Sequence, residues 1–225
     1  MEIWAAIDLS GKEAFFSIGE FPERRILSSS SFAMKGRDSS SLLPKIEDLL
    51  QKESISIEDV SRWTAGTGPG NYTGLRIVSA LISGMAFGRK DVSCRGIPSA
   101  LAVLQQIAPG DGEDALVIYP YEKNSVFSFC GMFKNGRFSV NSDFTGVFPD
   151  GDFMRKFQGM KKAFMEKDAD RISGDILRSS VGISVFPVQN LVFADPERWD
   201  GNSVKDLIYI RPAVNVAPMQ IRTEL

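Results

Sequence analysis

Histidine is absent from the 225 residues of this chain, and cysteine occurs only twice. Without an imidazole, the sequence excludes a Ser-His-Asp triad, a Cys–His pair and the zinc sites that depend on histidine. Cys94 and Cys130 stand far apart and outside any C-x-x-C motif, which predicts reduced thiols rather than a disulfide framework or a metal site. Any catalysis would have to rest on carboxylates, lysines, or a bound nucleotide with magnesium.

Strong charge and long apolar runs are also missing. The net charge is −2 and the pI is about 5.4, which argues against autonomous binding of nucleic acid, because such proteins usually carry a basic patch. No run is long enough to span a bilayer, and residues 1–8 lack the basic region that opens a signal peptide. These features predict a cytoplasmic protein with no membrane partner. With 225 residues, 43% of them hydrophobic, the chain can bury a sizeable core and form either one large domain or two small lobes.

A glycine-rich motif, GTGPGNYTGLR at residues 66–76, is the most specific pattern in the chain. Gly68 and Gly70 allow a positive φ or a close backbone approach, and Asn71 or Thr73 can cap the helix that follows. The N–H groups at a helix start can hold a phosphate, so Gly68 and Gly70 are candidate nucleotide or phosphate contacts. The motif is neither a Walker A loop nor G-x-G-x-x-G, because no lysine follows the last glycine and the spacing differs.

The helix predicted after this motif is unusually apolar. Between residues 75 and 87 the only charge is Arg76, and apolar residues point to all sides of a helix with 3.6 residues per turn. Ala80, Gly84 and Gly88 fall at i, i+4 and i+8, which gives a smooth ridge where another backbone can approach. Two interpretations stay open. The helix is either a core helix enclosed within this chain, or one whose second face is covered by a partner protein.

The order of predicted elements indicates two related lobes, residues 1–108 and residues 115–225, separated by the break PGDGED. Each begins with three strands. In the first lobe a helix over 39–52, a strand over 61–65, the apolar helix and a helix from 97 follow. Residues 145–205 are harder to interpret. The pattern there predicts a helical or mixed segment at 153–165, a strand end at 172–175 and an extended segment at 185–193.

Residues 68–77 resemble the G-P-G-S-F-T-G-[LV]-R-[IV] signature of the TsaB (YeaZ) family. Shorter stretches in the same order are similar to other segments of that family: residues 6–10 to A-I-D-T-[AS], 41–46 to its helix with L-[LI]-P, 96–101 to G-[IV]-[SP]-[ST]-L and 209–212 to the P-x-Y-L-R ending. The resemblance is strong over residues 1–105 and faint over 115–205. One departure is clear, since the second lobe of the family usually opens with I-D-A-R, and residues 117–123 read VIYPYEK.

The resemblance implies an actin-like (ASKHA, ribonuclease H-like) α/β fold of two lobes with a reduced second lobe. It also implies a role with TsaD and TsaE in making N6-threonylcarbamoyladenosine (t6A) at position 37 of tRNA. In that system TsaD carries the metal and the transferase activity, whereas TsaB is a non-catalytic subunit that binds TsaD. We therefore expect no catalytic residue, a TsaD-like transferase and a TsaE-like ATPase as partners, tRNA contact only through the complex, and a homodimer when the partner is absent.

Partner contacts in this family come from the first two helices, which correspond to residues 39–52 and 72–87 here. The interface residues so implied are Leu42, Ile46, Leu49, Tyr72, Arg76, Ala80, Ser83, Gly84 and Phe87. Arg76 would reach a phosphate or a partner carboxylate, or pair with a local acid. Weak ATP or ADP binding at the partner interface would use Asp8, Ser10, Gly11, Gly68 and Gly70. For Asp8 the favoured explanation is a turn-capping acid, since acids are common in turns without a further function.

Two functions of other classes are alternatives to a non-catalytic scaffold. An actin-like enzyme that binds ATP on its own would need two phosphate loops and a carboxylate, for which Asp8, Ser10, Gly11 and the turn at 66–74 are the candidates. A peptidase of the glycoprotease-like M22 type, a label once given to this superfamily, is disfavoured because the chain has neither histidine nor a metal-binding constellation.

Overall fold

The computed structural model describes residues 1–34, 38–107, 110–135, 137–194, 196–198 and 203–211, without the side chains of 38, 39 and 196–198. The first lobe contains one sheet in the order β3-β2-β1-β4-β5, in which β1 is antiparallel to β2 and parallel to β4. Its strands are β1 (Glu2–Asp8), β2 (Glu13–Phe21), β3 (Arg25–Ala33), β4 (Val60–Gly66) and β5 (Ser93–Ile97). Its helices are α1 (Leu42–Lys52), α2 (Tyr72–Met85) and α3 (Ser99–Ile107).

The second lobe repeats this plan with shorter helices. Its strands are β6 (Glu113–Pro120), β7 (Ser125–Lys134), β8 (Arg137–Val140), β9 (Gly146–Pro149), β10 (Lys161–Met165), β11 (Val181–Ile183) and β12 (Pro196–Arg198). Its helices are α4 (Asp150–Lys156), α5 (Gly174–Arg178) and α6 (Gln189–Val192). Short 3₁₀ helices lie at Asp38–Ser41, Ile57–Asp59, Ser142–Phe144 and Glu166–Arg171.

The two sheets share one topology. The second runs β11-β10-β6-β7-β8-β12, and β9 also pairs with β7. Because β8 pairs with one half of β7 and β9 with the other, the two together occupy the place that β3 has in the first sheet. The helices of the second lobe have 7, 5 and 4 residues, against 11, 14 and 9 in the first. The predicted two-lobe α/β fold with a reduced second lobe is therefore confirmed.

The short elements of the second lobe were not anticipated correctly. A strand end was expected at 172–175 and an extended segment at 185–193, where the structure has helices α5 and α6. Helices of one turn present too few residues for a period of 3.6 to be visible in the sequence. The mixed segment expected at 153–165 contains most of α4 followed by β10.

The central strand β1 is buried on both faces, which explains its continuous apolar sequence. Its odd-numbered residues, such as Ile7, pack against α1 and α2. The side chains of Trp4 and Ala6 point to the opposite face, where α3 and α6 lie. That second core also receives Val117 and Phe129 of the second sheet. The two sheets thus share one hydrophobic core, and the helices between them hold the lobes together.

The helix enclosed on all sides is α3 and not α2. Every residue of α3 from Ser99 to Leu104 is buried, because the helix lies between the two sheets. In α2, only Gly74, Leu75, Val78 and Ile82 are buried. The interpretation of α2 as an enclosed core helix is therefore wrong, and its second face is open to solvent within this chain. None of the helices in the described ranges combines the length and the hydropathy that crossing a bilayer requires.

Two residues predicted for a partner interface face the opposite way. Leu42 and Ile46 are 1% and 0% exposed, because α1 turns them onto the first sheet beside Val78 and Ile82. They contribute to the core of the first lobe and are not available to another protein. Leu49, from the same predicted set, is only partly buried.

We expect Ile46→Ala to lower the free energy of unfolding by about 2–5 kcal/mol, because it leaves a cavity beneath α1. Glu47→Ala, one residue along the same helix but exposed, should change it by less than about 0.5 kcal/mol. Urea unfolding of both variants measures the difference. Equal effects would mean that α1 does not pack on the sheet as described.

Candidate functional site

The glycine loop, residues 67–71, connects β4 to α2 and is held by hydrogen bonds to other parts of the chain. The amide of Gly68 donates to Ser99 Oγ at 3.0 Å. The amide of Gly70 donates to the carbonyl of Ile208 at 3.1 Å, and that of Asn71 to the carbonyl of Ser10 at 2.9 Å. A phosphate cradle needs free N–H groups. Both of these amides are already bonded within the chain, to Ser99 Oγ and to the carbonyl of Ile208, so neither is free for a phosphate in this structure.

Asn71 connects the loop, the helix and the β1–β2 hairpin through one side chain. Its Oδ1 accepts from the amide of Gly74 at 2.7 Å, so Asn71 is the N-cap of α2, as one of the two sequence candidates predicted. Its Nδ2 donates to the carbonyls of Ser10 at 3.0 Å and Gly11 at 2.6 Å. These contacts fix the start of α2 against the end of β1.

Asp8 lies behind the loop and is completely buried. Its Oδ1 accepts from the amide of Ser10 at 3.0 Å and from the Ser10 hydroxyl at 2.7 Å, while Oδ2 accepts from Ser99 Oγ. Ser99 also accepts the amide hydrogen of Gly68, so the carboxylate holds the loop through this serine. Burial raises the pKa of Asp8 above its ordinary value, although the hydrogen bonds oppose the shift.

Glycine is required in the motif because other backbone segments come too close for a side chain. A Cβ at Gly66 would overlap the Asp8 carboxylate, and one at Gly74 would overlap the carbonyl of Leu9. At Gly70 it would stand 2.6 Å from the carbonyl of Ser10. Gly68 has φ of +101°, which glycine adopts readily and other residues do not. The motif is therefore explained by packing between segments of this chain.

An open cleft of about 890 Å³ lies between the two lobes. The first lobe lines it with the β1–β2 turn and the outer side of the glycine loop, and the second lobe with Tyr119, Pro120 and residues 167–171. Of the five predicted nucleotide contacts, Ser10, Gly11 and Gly70 line the cleft. Asp8 and Gly68 lie behind it, within the hydrogen-bond network described above.

Charged groups from both lobes meet across this cleft. Lys167 reaches from the second lobe to within 3.7 Å of Glu13 Oε2, and its Nζ lies 5.6 Å from the centre of the Phe15 ring. The position that Asp8 has at the end of β1 is taken in the second lobe by Tyr119 and Pro120 at the end of β6. The second lobe thus presents no carboxylate at that strand end, in agreement with the departure from I-D-A-R in the sequence.

The outward face of α2 carries the remaining residues predicted for a partner interface. Arg76, Ala80, Ser83 and Gly84 are exposed along one side, and Tyr72 is partly exposed at its start. Phe87, which follows the end of the helix, is 89% exposed. A Cβ at Gly84 would meet nothing within 4 Å. We call this surface the α2 stripe (Tyr72, Arg76, Ala80, Ser83, Gly84 and Phe87).

Sequence reasoning missed the roles of Ser99 and of residues 203–211. Ser99 stands in the segment GIPSAL. The resemblance of this segment to the family implies no role for the Ser99 hydroxyl. Ile208 and its neighbours were assigned to the second lobe, yet they pair with the glycine loop of the first. Residues 203–211 contain only a short apolar run. Such a run does not indicate which distant segment of the chain it pairs with.

Comparisons with known proteins agree with this architecture. A family model described as TsaD, tRNA N6-adenosine threonylcarbamoyltransferase, matches residues 35–119. YeaZ from Pseudomonas aeruginosa is similar in structure, with a TM-score of 0.64 and 21% identity over 85% of this chain and 89% of that one. No curated protein matches the sequence significantly.

Two further solved structures are similar. An uncharacterized protein with similarity to peptidase YEAZ, from Pseudomonas aeruginosa, has a TM-score of 0.63 and 19% identity over 85% of this chain and 88% of that one. A Bacteroides thetaiotaomicron protein with an actin-like ATPase fold and unknown function has a TM-score of 0.45 and 9% identity over 86% of this chain and 96% of that one. With the duplicated strand order, the two YeaZ-like matches confirm the resemblance drawn from the sequence and the actin-like fold class.

Because burial raises the pKa of Asp8, the folded chain binds more protons there than the unfolded chain once the pH exceeds the ordinary value. The stability that Asp8 contributes is therefore present at low pH and lost as the pH rises. We expect Asp8→Asn, which cannot ionise, to gain stability relative to the unaltered protein as the pH rises above the ordinary carboxyl pKa of about 4. Urea unfolding at a series of pH values from about 4 upward measures the difference.

Asp59→Asn is the control for this pH dependence. Hydrogen bonds from Ser56 lower the pKa of Asp59. The unaltered protein should therefore become more stable relative to Asp59→Asn as the pH rises. A stability difference for Asp8→Asn that does not change with pH would contradict the burial of an ionisable Asp8.

We expect Asn71→Ala to lower the free energy of unfolding by about 1–3 kcal/mol, because it removes the helix cap and leaves hairpin carbonyls without their donor. Asn71→Ser keeps a side-chain oxygen that can cap the helix, so its free energy of unfolding should fall by less. Thermal or urea unfolding distinguishes the two. If Asn71→Ser were as damaging as Asn71→Ala, the cap would contribute nothing at this position.

Proposed function

We propose that this chain is a non-catalytic subunit that binds a TsaD-like transferase in the synthesis of t6A at position 37 of tRNA. The observation that carries the proposal is the α2 stripe, a smooth helix face of small residues with the exposed ring of Phe87, which the chain itself leaves uncovered. A large apolar ring left in water beside such a face favours contact with another protein. The match to a TsaD family model over residues 35–119 and the YeaZ-like fold support the pathway.

The shape of the stripe suits a helix of another protein. Ala80 and Gly84 lie one turn apart on the exposed side of α2, and neither has a side chain that would keep a second backbone away. Phe87 at one end presents a large ring, and Arg76 near the other end presents a charge. Aromatic rings and arginine are enriched at protein–protein interfaces relative to the rest of the surface.

The contacts of the glycine motif favour a scaffold over an enzyme that binds ATP alone. The cleft lies where such an enzyme would hold its nucleotide, but Asp8 is buried and the amides of Gly68 and Gly70 are already bonded. Phosphate binding there would have to break these bonds. We propose further that a TsaE-like ATPase and tRNA meet this chain only through the complex, that any ATP or ADP binds weakly at the partner interface, and that the stripe pairs two copies when the transferase is absent.

We expect Gly84→Arg to weaken binding of the transferase by about 30-fold or more, because it places a long charged side chain in the middle of the stripe. The fold should be retained, since the position is open to solvent. The measurement is co-purification with the TsaD homologue of the same organism, followed by size-exclusion chromatography and an assay of t6A formation with the reconstituted proteins.

Gly151→Arg is the matched control. Gly151 lies on α4 of the second lobe, is exposed, and has no atom within 4 Å of an added Cβ. This variant should bind the transferase normally. A folded, monomeric chain that forms no complex with the transferase would overturn the proposal, and tight ATP binding by that lone chain would support the enzyme instead.

A further inference from the structure

Residues 203–211, which we call the strap, return from the second lobe and pair with the glycine loop. The amide of Ile208 donates to the carbonyl of Thr67 at 2.8 Å, and the carbonyl of Ile208 accepts from Gly70 at 3.1 Å. The amide of Ile210 donates to the carbonyl of Gly70 at 3.3 Å, and Gly70 and Tyr209 form a parallel bridge. The strap therefore adds a short strand to the outer side of the loop.

The packing beneath the strap leaves no space for side chains. A Cβ at Gly68 would overlap the carbonyl of Ile208, and one at Gly96 would overlap the carbonyl of Ser203. At its far end, Arg211 donates to the carbonyl of Tyr121 in the second lobe, with its guanidinium 5.3 Å from the Tyr121 ring centre. The strap is thus attached to both lobes, and its position on the first lobe is determined by backbone contacts.

The strap brings Tyr209 to the start of the α2 stripe. The rings of Tyr209 and Tyr72 lie 4.9 Å apart, and the guanidinium of Arg76 lies 4.5 Å from the centre of the Tyr72 ring. Tyr72 and Arg76 are separated by one helical turn and so lie on one face of α2. The three side chains form a continuous row that begins on the strap and ends on the surface proposed to bind the transferase.

Arg76 has no acidic partner of its own in the described part of the chain. It is exposed, and no carboxylate among those residues lies within ion-pair distance of it. A free arginine side chain loses considerable rotamer entropy when it is immobilised in an interface. The contact with Tyr72 restrains the guanidinium before the partner arrives, because the cation is attracted to the ring face, and the tilted ring of Tyr209 packs against Tyr72 in turn.

We propose that Tyr209 is a positioning residue of the partner surface, and that through Tyr72 it holds Arg76 ready for a carboxylate of the transferase. This inference rests on the proposed function, because it assigns the α2 stripe to that partner. It adds the strap, a segment remote in sequence from α2, to the surface that determines affinity.

The test measures the dissociation constant of the complex with the transferase for Tyr209→Ala, Tyr209→Phe, Arg76→Ala and the Tyr209→Ala/Arg76→Ala double variant. Tyr209→Ala should raise it by about three- to tenfold, since an aromatic pair is lost. Tyr209→Phe keeps the ring and should bind like the unaltered chain. Arg76→Ala should weaken binding and flatten its dependence on salt, because a charge pair is removed.

The double variant separates positioning from a general structural effect. If Tyr209 acts through Arg76, adding Tyr209→Ala to Arg76→Ala should not raise the dissociation constant any further. Tyr121→Ala is the matched control, because it removes a tyrosine ring from the strap's contact with the second lobe without touching Tyr72. It should leave the dissociation constant within about twofold of the original. Thermal unfolding of each variant confirms that the chain is folded.

Two kinds of result would contradict these proposals. Normal binding by Tyr209→Ala, or losses that add in the double variant, would refute the positioning role and leave the proposed function intact. Failure of the unaltered chain to bind the transferase at all would refute the proposed function, and this inference with it.

Discussion

The close approach of backbone segments around the glycine loop is the constraint on which this structure depends. The β1–β2 hairpin, the start of α3 and the strap all contact residues 66–74, and added side chains would collide there. Two side chains form hydrogen bonds between these segments. Asn71 bonds from the surface of the loop, and Asp8 bonds from its buried side. The buried carboxylate of Asp8, the Ser99 hydroxyl and the amides of Gly68 and Gly70 thereby obtain partners, which keeps their desolvation cost low.

The position of α2 follows from this arrangement. Its first turn is fixed by the Asn71 cap, so Val78 and Ile82 are directed at the first sheet and the α2 stripe at solvent. The space between the two sheets is taken by α3, whose first residue, Ser99, bonds to the same network. One helix is therefore enclosed, whereas another of similar hydrophobicity keeps an open face. Apolar surface left in water is unfavourable, and covering it provides the energy for association.

The cleft and the glycine loop differ from a phosphate-binding site in how the loop amides are bonded. The two lobes enclose about 890 Å³, yet the loop amides that face phosphates in ligand-binding turns are bonded here to Ser99 and Ile208. In the second lobe, β6 ends at Tyr119 and Pro120 without a carboxylate, and α5 has only 5 residues. These features agree with a chain that contributes a surface and a stable frame to a complex.

The sequence by itself determined the two-lobe order and the apolar composition of α2, and it narrowed the helix cap to Asn71 or Thr73, because periodicity and turn chemistry are local properties. The fold class followed from the resemblance of its motifs to a known family. The sequence also excluded histidine-dependent chemistry by composition alone. Only the tertiary structure decided that Leu42 and Ile46 turn inward, that α3 rather than α2 is enclosed, and that the strap returns to Gly70 and Tyr72. These outcomes depend on which faces and which distant segments meet, and contacts between residues far apart in the chain leave no periodic signal in its sequence.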